Sequence, residues 1–212
     1  WMRPNNDPLN FQKHWGSRLM GGNYFGQAAV YLIEIIFGLY ILALLLRYLL
    51  ARVRADFYNP ISQMLVKVTN PTVKPLRRFI PGYLGIDWPT IVLLFFFQGL
   101  EIILVSLVKF GGIPAPAGLC VLTFAYLLKL LIYTHLFIVI IQVIISWVNP
   151  GAYNPITVIL YQLSEPILKP ARRLIPPAGG FDWSALVVLI IMQLMIILLV
   201  SPLMDLGSRL SV

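Results

Sequence analysis

The sequence predicts an all-α membrane protein with four transmembrane helices in two parallel repeats, each repeat carrying an amphipathic, interfacial helical connector. Three observations predict it. Of 212 residues, 59% are hydrophobic and 11% charged, against about 45–50% and about 25% in soluble domains, so a soluble shell cannot be built. Four apolar runs, 28–46, 91–108, 119–148 and 185–200, approach or exceed the roughly 17–25 residues that cross a bilayer. Finally, residues 59–105 return without a gap at 154–200, with 20 of 47 positions identical. The matches include Asn, Pro, Lys, Arg, Gly, Asp and Trp, which chance likeness between greasy segments does not supply. This is an internal duplication with an offset of 95 residues.

Residues 1–23 are polar and aperiodic and are expected to form a loosely ordered tail, with Trp15 resting at the membrane surface. The first repeat occupies 24–110. Its first span opens at Tyr24 and ends near Arg47, Arg52 and Arg54. It lacks a small-residue cleavage pattern, so it is expected to remain an anchor and not a cleaved leader. Arg47 is expected to snorkel to the interface. The second span runs from Trp88 to Phe110, and an uncharged turn, 111–118, leads to the second repeat at 119–204. Its spans begin at Leu119 and Trp183.

Six of the sixteen Lys and Arg residues fall in the first connector, and Lys169, Arg172 and Arg173 fall in the second. The positive-inside rule therefore puts both connectors in the cytoplasm and both termini outside, although Lys13 and Arg18 pull weakly the other way. Connectors on one side make the repeats parallel, related by an axis along the membrane normal. The net charge of +8, taken alone, suggests nucleic acid. Here the cations sit at span ends beside Trp and Tyr, as in membrane proteins, so no nucleic-acid partner is expected.

Each connector opens with a helix start, Asn59-Pro60 and Asn154-Pro155, since Asn caps free amides and Pro fits the first helical position. Ile61, Met64, Leu65 and Val68, matched by Ile156, Ile159, Leu160 and Leu163, give one apolar stripe. Pro71 and Pro166 are expected to break that helix, leaving a second bent piece. The first copy of that piece carries Lys74, Pro75, Arg77 and Arg78, and the second carries Lys169, Pro170, Arg172 and Arg173. Pro81 and Pro176 then turn the chain. Asp87 and Asp182 are placed to cap the next spans, and Trp88 and Trp183 sit where aromatic belts sit.

The order N-P-I, then K-P-x-R-R-x-I-P, then G-x-D-W at the lip of an apolar span resembles the YggT family. The likeness covers about residues 24–204. It implies a small integral membrane protein of bacteria or plastids, of which some members carry the unit twice. Bacterial members are linked to osmotic-shock tolerance, division or nucleoid placement, and plastid relatives to maturation of a b-type cytochrome. The resemblance implies no enzymatic activity.

Intramembrane charges are costly and point first to function. Glu34 and Lys129 are equivalent in the two repeats, and both are expected at the depth of Glu101, with the lysine between two glutamates. Such a trio is either an ion-pair lock between the repeats or part of an ion relay with Gln98, Gln193 and His135. An interhelical hydrogen bond is the expected role of His135. With His14 and Cys120 as the remaining soft ligands, no metal, haem or other cofactor is expected. No nucleophile–base arrangement or phosphate-cradling glycine loop occurs, so no catalytic role is expected.

These features lead to a scaffold or assembly factor of the bacterial inner membrane. It would engage anionic headgroups and a membrane-protein partner, or a second copy of itself, through Lys74, Arg77, Arg78, Lys169, Arg172 and Arg173. The alternative is a small channel or transport subunit in osmotic response.

Overall fold

The computed structural model describes residues 24–56, 58–83, 85–148, 151, 154–175 and 182–211. The N-terminal tail, with Lys13, His14, Trp15 and Arg18, and the turn proline Pro176 lie outside the described residues. The helices are α1 (Tyr24–Arg52), α2 (Pro60–Phe79), α3 (Trp88–Phe110), α4 (Pro116–Val148), α5 (Pro155–Leu174), α6 (Trp183–Met195), a π segment (Ile196–Val200) and α7 (Ser201–Arg209). Helices α1, α3 and α4, and the joined run Trp183–Arg209, are long and apolar enough to cross a membrane. This is a multi-pass, all-helical membrane protein.

Both connectors, α2 and α5, lie at one end, where the Asn59 side-chain amide donates to the Pro155 carbonyl at 2.8 Å. At the other end the Ala115 amide donates to the Ser211 carbonyl at 3.2 Å, tying the turn between α3 and α4 to the chain's last described residues. The two repeats therefore run parallel, as the charge pattern predicts.

Each repeat has its own core. Ile41 and Leu44 of α1, Val73 of α2 and Leu94 of α3 centre the first, which also takes in Ile138, Ile159 and Leu163 from the second repeat. Val139, Leu168, Val188, Met192 and Val200 centre the other. In lipid, helix pairing depends on close packing more than on hydrophobic transfer. The Tyr40 ring meets Phe97 edge-on at 4.9 Å. Gly207 lets α7 approach α4 so closely that a Cβ there would fall 2.8 Å from Leu122 Cγ. Only 17–22% of each span's most apolar window is buried within the protein, which leaves the rest for lipid chains to cover.

The expected proline break does not occur. Both connectors are single helices of 20 residues, with Pro71 and Pro75 inside α2 and Pro166 and Pro170 inside α5. A proline withholds its own amide and frees the carbonyl four residues back. Prolines four apart share one face, and all four are exposed, so the freed carbonyls meet solvent and the helix continues. The buried stripe is also rotated from the expected one. In α2 it is Ser62, Leu65, Thr69 and Val73, while Met64 and Val68 stay more than half or about half exposed, at 59% and 50%. A polar connection described below turns Thr69 inward.

The fourth span departs from the second. Pro202 stands in the first turn of α7, and the turn before it widens to a π segment, a common response to a missing amide. The Ser201 hydroxyl donates to the Ile196 carbonyl at 3.1 Å. Position 107 in the first repeat is leucine, and α3 runs without interruption to Phe110.

Candidate functional site

The connector end concentrates the polar chemistry. Asn59 caps α2 by accepting from the Ile61 amide at 3.0 Å. Asn154 caps α5 more fully, accepting from Ile156 and Thr157 at 2.9 Å each while the Thr157 hydroxyl accepts from the Asn154 amide. Both are helix starts of the kind the Asn-Pro pair predicts.

The two arginines of each R-R pair have different duties. Arg77 Nη2 donates to Asp87 Oδ2 at 2.9 Å, and the Thr90 hydroxyl donates to the same oxygen at 2.8 Å. Arg172 Nε donates to Asp182 Oδ2 at 2.8 Å and its Nη1 to Glu165 Oε2 at 3.1 Å. These joints fasten the end of each connector to the head of the following span. Asp87 and Asp182 do occupy the cap positions, but neither carboxylate takes a capping bond from the helix backbone. They serve the arginines instead. Burial alone would raise the Asp182 carboxyl, yet the Ser184 hydroxyl and the Arg172 guanidinium outweigh it and hold the group below its ordinary value.

Lys74, Arg78, Lys169 and Arg173 are exposed and form no ion pair among the described residues. Each pair is spaced i, i+4 on the outer face beside the prolines. Trp88 and Trp183 begin α3 and α6 and are about half exposed.

Arg47 does not snorkel. It is 7% exposed, and its Nη1 donates to Thr69 Oγ1 at 2.7 Å and Asn70 Oδ1 at 3.0 Å. The Thr69 hydroxyl donates onward to the Leu65 carbonyl at 2.6 Å, so its lone pair is free to receive the guanidinium. At the same offset in the second repeat, the Ser164 hydroxyl donates to Gln142. Sequence reasoning missed this joint. The signal was available, because Arg47/Gln142 and Thr69/Ser164 are polar at matched places in both copies.

Lys129 does not join the other two intramembrane charges. Glu34 pairs with Lys109 at 3.6 Å, not with Lys129, which enters no ion pair among the described residues. Helix α1 projects beyond the end of α3, where Gln27 and Val30 also border Lys109, so Glu34 comes within reach of the lysine side chain. Glu101 lies eight residues earlier, about 12 Å deeper at 1.5 Å per residue, and accepts from Gln98 at 3.0 Å. Glu34, Glu101 and Lys109 all line a cleft of about 890 Å³ at the end remote from the connectors. His135 also departs from expectation, since its Nδ1 bonds the Leu131 carbonyl of its own helix at 2.9 Å. Its counterpart Tyr40 makes the interhelical bond, to Thr72.

Two spans, a clamped connector, and the same again in parallel define a duplicated multi-pass membrane protein. The chain belongs to the CCB3/YggT family, which it matches over residues 26–108 and again over 121–203. It is 40% identical to protein PA0392 of Pseudomonas aeruginosa over 177 residues, 83% of this chain and 90% of that one. It is 38% identical over 164 residues, 77% of this chain and 88% of the other, to a Vibrio alginolyticus protein named for the proC 3′ region. With YggT of Escherichia coli K12 it shares 36% over 163 residues, 76% of this chain and 84% of that protein. These names assign no activity. No solved structure matches the chain.

Proposed function

We propose that this protein is a non-enzymatic scaffold or assembly factor of the bacterial inner membrane, which holds anionic lipid and a membrane-protein partner, or a second copy, by two amphipathic connectors. The observation that carries this reading is the division of labour within each connector. Arg77 and Arg172 are consumed by aspartates, while Lys74, Arg78, Lys169 and Arg173 remain exposed at one end of the bundle. Basic connectors opposite an uncharged turn support a cytoplasmic position for that end, where anionic headgroups attract juxtamembrane cations at about 1 kcal/mol each. The apolar Met64 and Val68, exposed on α2, suit an interfacial helix.

The test is the lipid that accompanies the protein out of native membranes, measured by mass spectrometry. Wild type is expected to be enriched in anionic lipid over the bulk, and a variant with those four cations changed to Gln is expected to lose most of the enrichment. Equal enrichment in both overturns the reading. A second reading, a small channel or transport subunit in osmotic response, is favoured by the charged cleft with Glu34, Glu101 and Lys109. Planar-bilayer recording tests it: a conductance that Glu101→Gln alters supports the channel and displaces the scaffold.

A further inference from the structure

We infer that the first repeat binds one phosphate-bearing anion in a cavity between the last turns of α1, the connector α2 and the head of α3, with Arg47 as its anchoring cation. The cavity measures about 480 Å³, and Arg47, Arg54, Arg77, Ser62 and Asn70 line it, with Asp87 as the carboxylate present. Three guanidinium groups against one carboxylate leave a surplus of two positive charges.

Four features of this cavity lack a structural purpose unless something negative occupies it. Arg47 is buried, yet its partners are the neutral Thr69 and Asn70, and no carboxylate lies within ion-pair distance of it. A buried charge without a counter-ion is strongly destabilising. Both of its bonds use Nη1, so Nε and Nη2 are uncommitted among the described residues. The Ser62 hydroxyl is buried without a hydrogen-bond partner and borders the same space, where it can donate to an oxyanion. The sole carboxylate, Asp87, bonds Arg77 and Thr90 through Oδ2, keeps its buried Oδ1 without a hydrogen-bond partner, and makes no ion pair with Arg47.

The fourth feature is Arg54. Its amide bonds the Ala51 carbonyl while the Ala55 amide bonds the Leu50 carbonyl, the pattern of a Schellman helix end, whose left-handed residue is usually glycine. Arg54 takes that place with φ 52°, a backbone conformation that residues with a Cβ rarely adopt. Strain kept at one residue is explained when its side chain is needed. Here that side chain joins the cavity wall.

Guanidinium forks plus a hydroxyl suit a tetrahedral, multiply charged oxyanion, either the phosphate of a lipid headgroup at the membrane lip or free phosphate. The site does not depend on Lys74, Arg78, Lys169 or Arg173, none of which lines the cavity. Nor does the fold require its anchor, because the second repeat carries Gln142 at that place.

Native mass spectrometry of the delipidated, detergent-solubilised protein tests the site with phosphatidylglycerol, phosphatidylcholine and inorganic phosphate as separate probes. Wild type is expected to retain one phosphatidylglycerol in preference to phosphatidylcholine if the source is lipid. If the source is free anion, inorganic phosphate binds and displaces the lipid. Arg47→Gln, the residue the duplicate uses, should weaken the bound probe by on the order of tenfold to a hundredfold. Arg54→Gly should weaken it while raising the melting temperature, since glycine relieves the strain, and this separates loss of binding from loss of fold. The variant lacking Lys74, Arg78, Lys169 and Arg173 charges should still bind one probe molecule. Undiminished binding in Arg47→Gln, or loss of the site in the four-cation variant, overturns the proposal.

Discussion

In the first repeat a buried arginine reaches across to Thr69 and Asn70, and at the equivalent place in the second a glutamine receives the Ser164 hydroxyl. The two joints sit in the same arrangement of elements, with a 20-residue connector and an arginine–aspartate clamp in each. A polar bond between the spanning helix and its connector is thus what the architecture requires, and a charge there is not. The other asymmetry lies at the far end. Helix α3 runs straight, whereas the last span widens before Pro202 and then packs its Gly207 onto α4. The second repeat closes its outer end by close contact of α7 with α4, and the charged cleft lies between that end and the spans of the first repeat.

The sharpest way to break this contrast is at the two equivalent glycines. Gly207→Val drives a side chain into Leu122 and is expected to cost about 3 kcal/mol, the upper part of the range for overpacking. A Cβ at Gly112 meets nothing within 4 Å, so Gly112→Val should leave thermal unfolding in detergent almost unchanged. Equal losses would show that the outer ends are closed alike.

A smaller difference is expected at the joints. Thr69→Val strips a hydroxyl from a buried guanidinium and should cost about 2 kcal/mol, while Ser164→Ala breaks a neutral bond worth about 1 kcal/mol. A double-mutant cycle of Thr69→Val with Arg47→Gln, read by denaturant unfolding, should return most of the first loss as coupling.

The smallest effect concerns acid. The Asp182 carboxyl is held below its ordinary value, so its clamp contributes fully above the unfolded value of about 3.9. The contribution is lost as pH falls through the lower, folded value. Because the pair is partly exposed and screened, it is worth about 1 kcal/mol or less. Asp182→Asn should flatten the acid limb of a stability-against-pH curve, and an unchanged limb would assign that limb to other carboxylates.

Much of the fold was legible because its signals are one-dimensional. Apolar run length marks the spans, the Asn-Pro pairs mark the connector starts, and the offset of 95 marks the duplication. What escaped depends on rotation and depth. Pro71 and Pro75 look like breakers until both are found on an exposed face, where freed carbonyls are harmless. Counting from helix ends put Glu34, Glu101 and Lys129 at one level, but α1 overshoots α3 and hands Glu34 to Lys109. Arg47 sits near a span end, where a long cation ordinarily reaches water, and only the facing Thr69 and Asn70 show why it turns inward.

The bond from Asn59 to the Pro155 carbonyl runs in a single direction, and Asn154 is left with an exposed side chain devoted to its own helix start. An asparagine can serve as both cap and stitch, because its oxygen accepts from its own helix while its NH2 donates elsewhere. Asn59 does both and Asn154 only the first, so the seam between the halves has acquired a handedness.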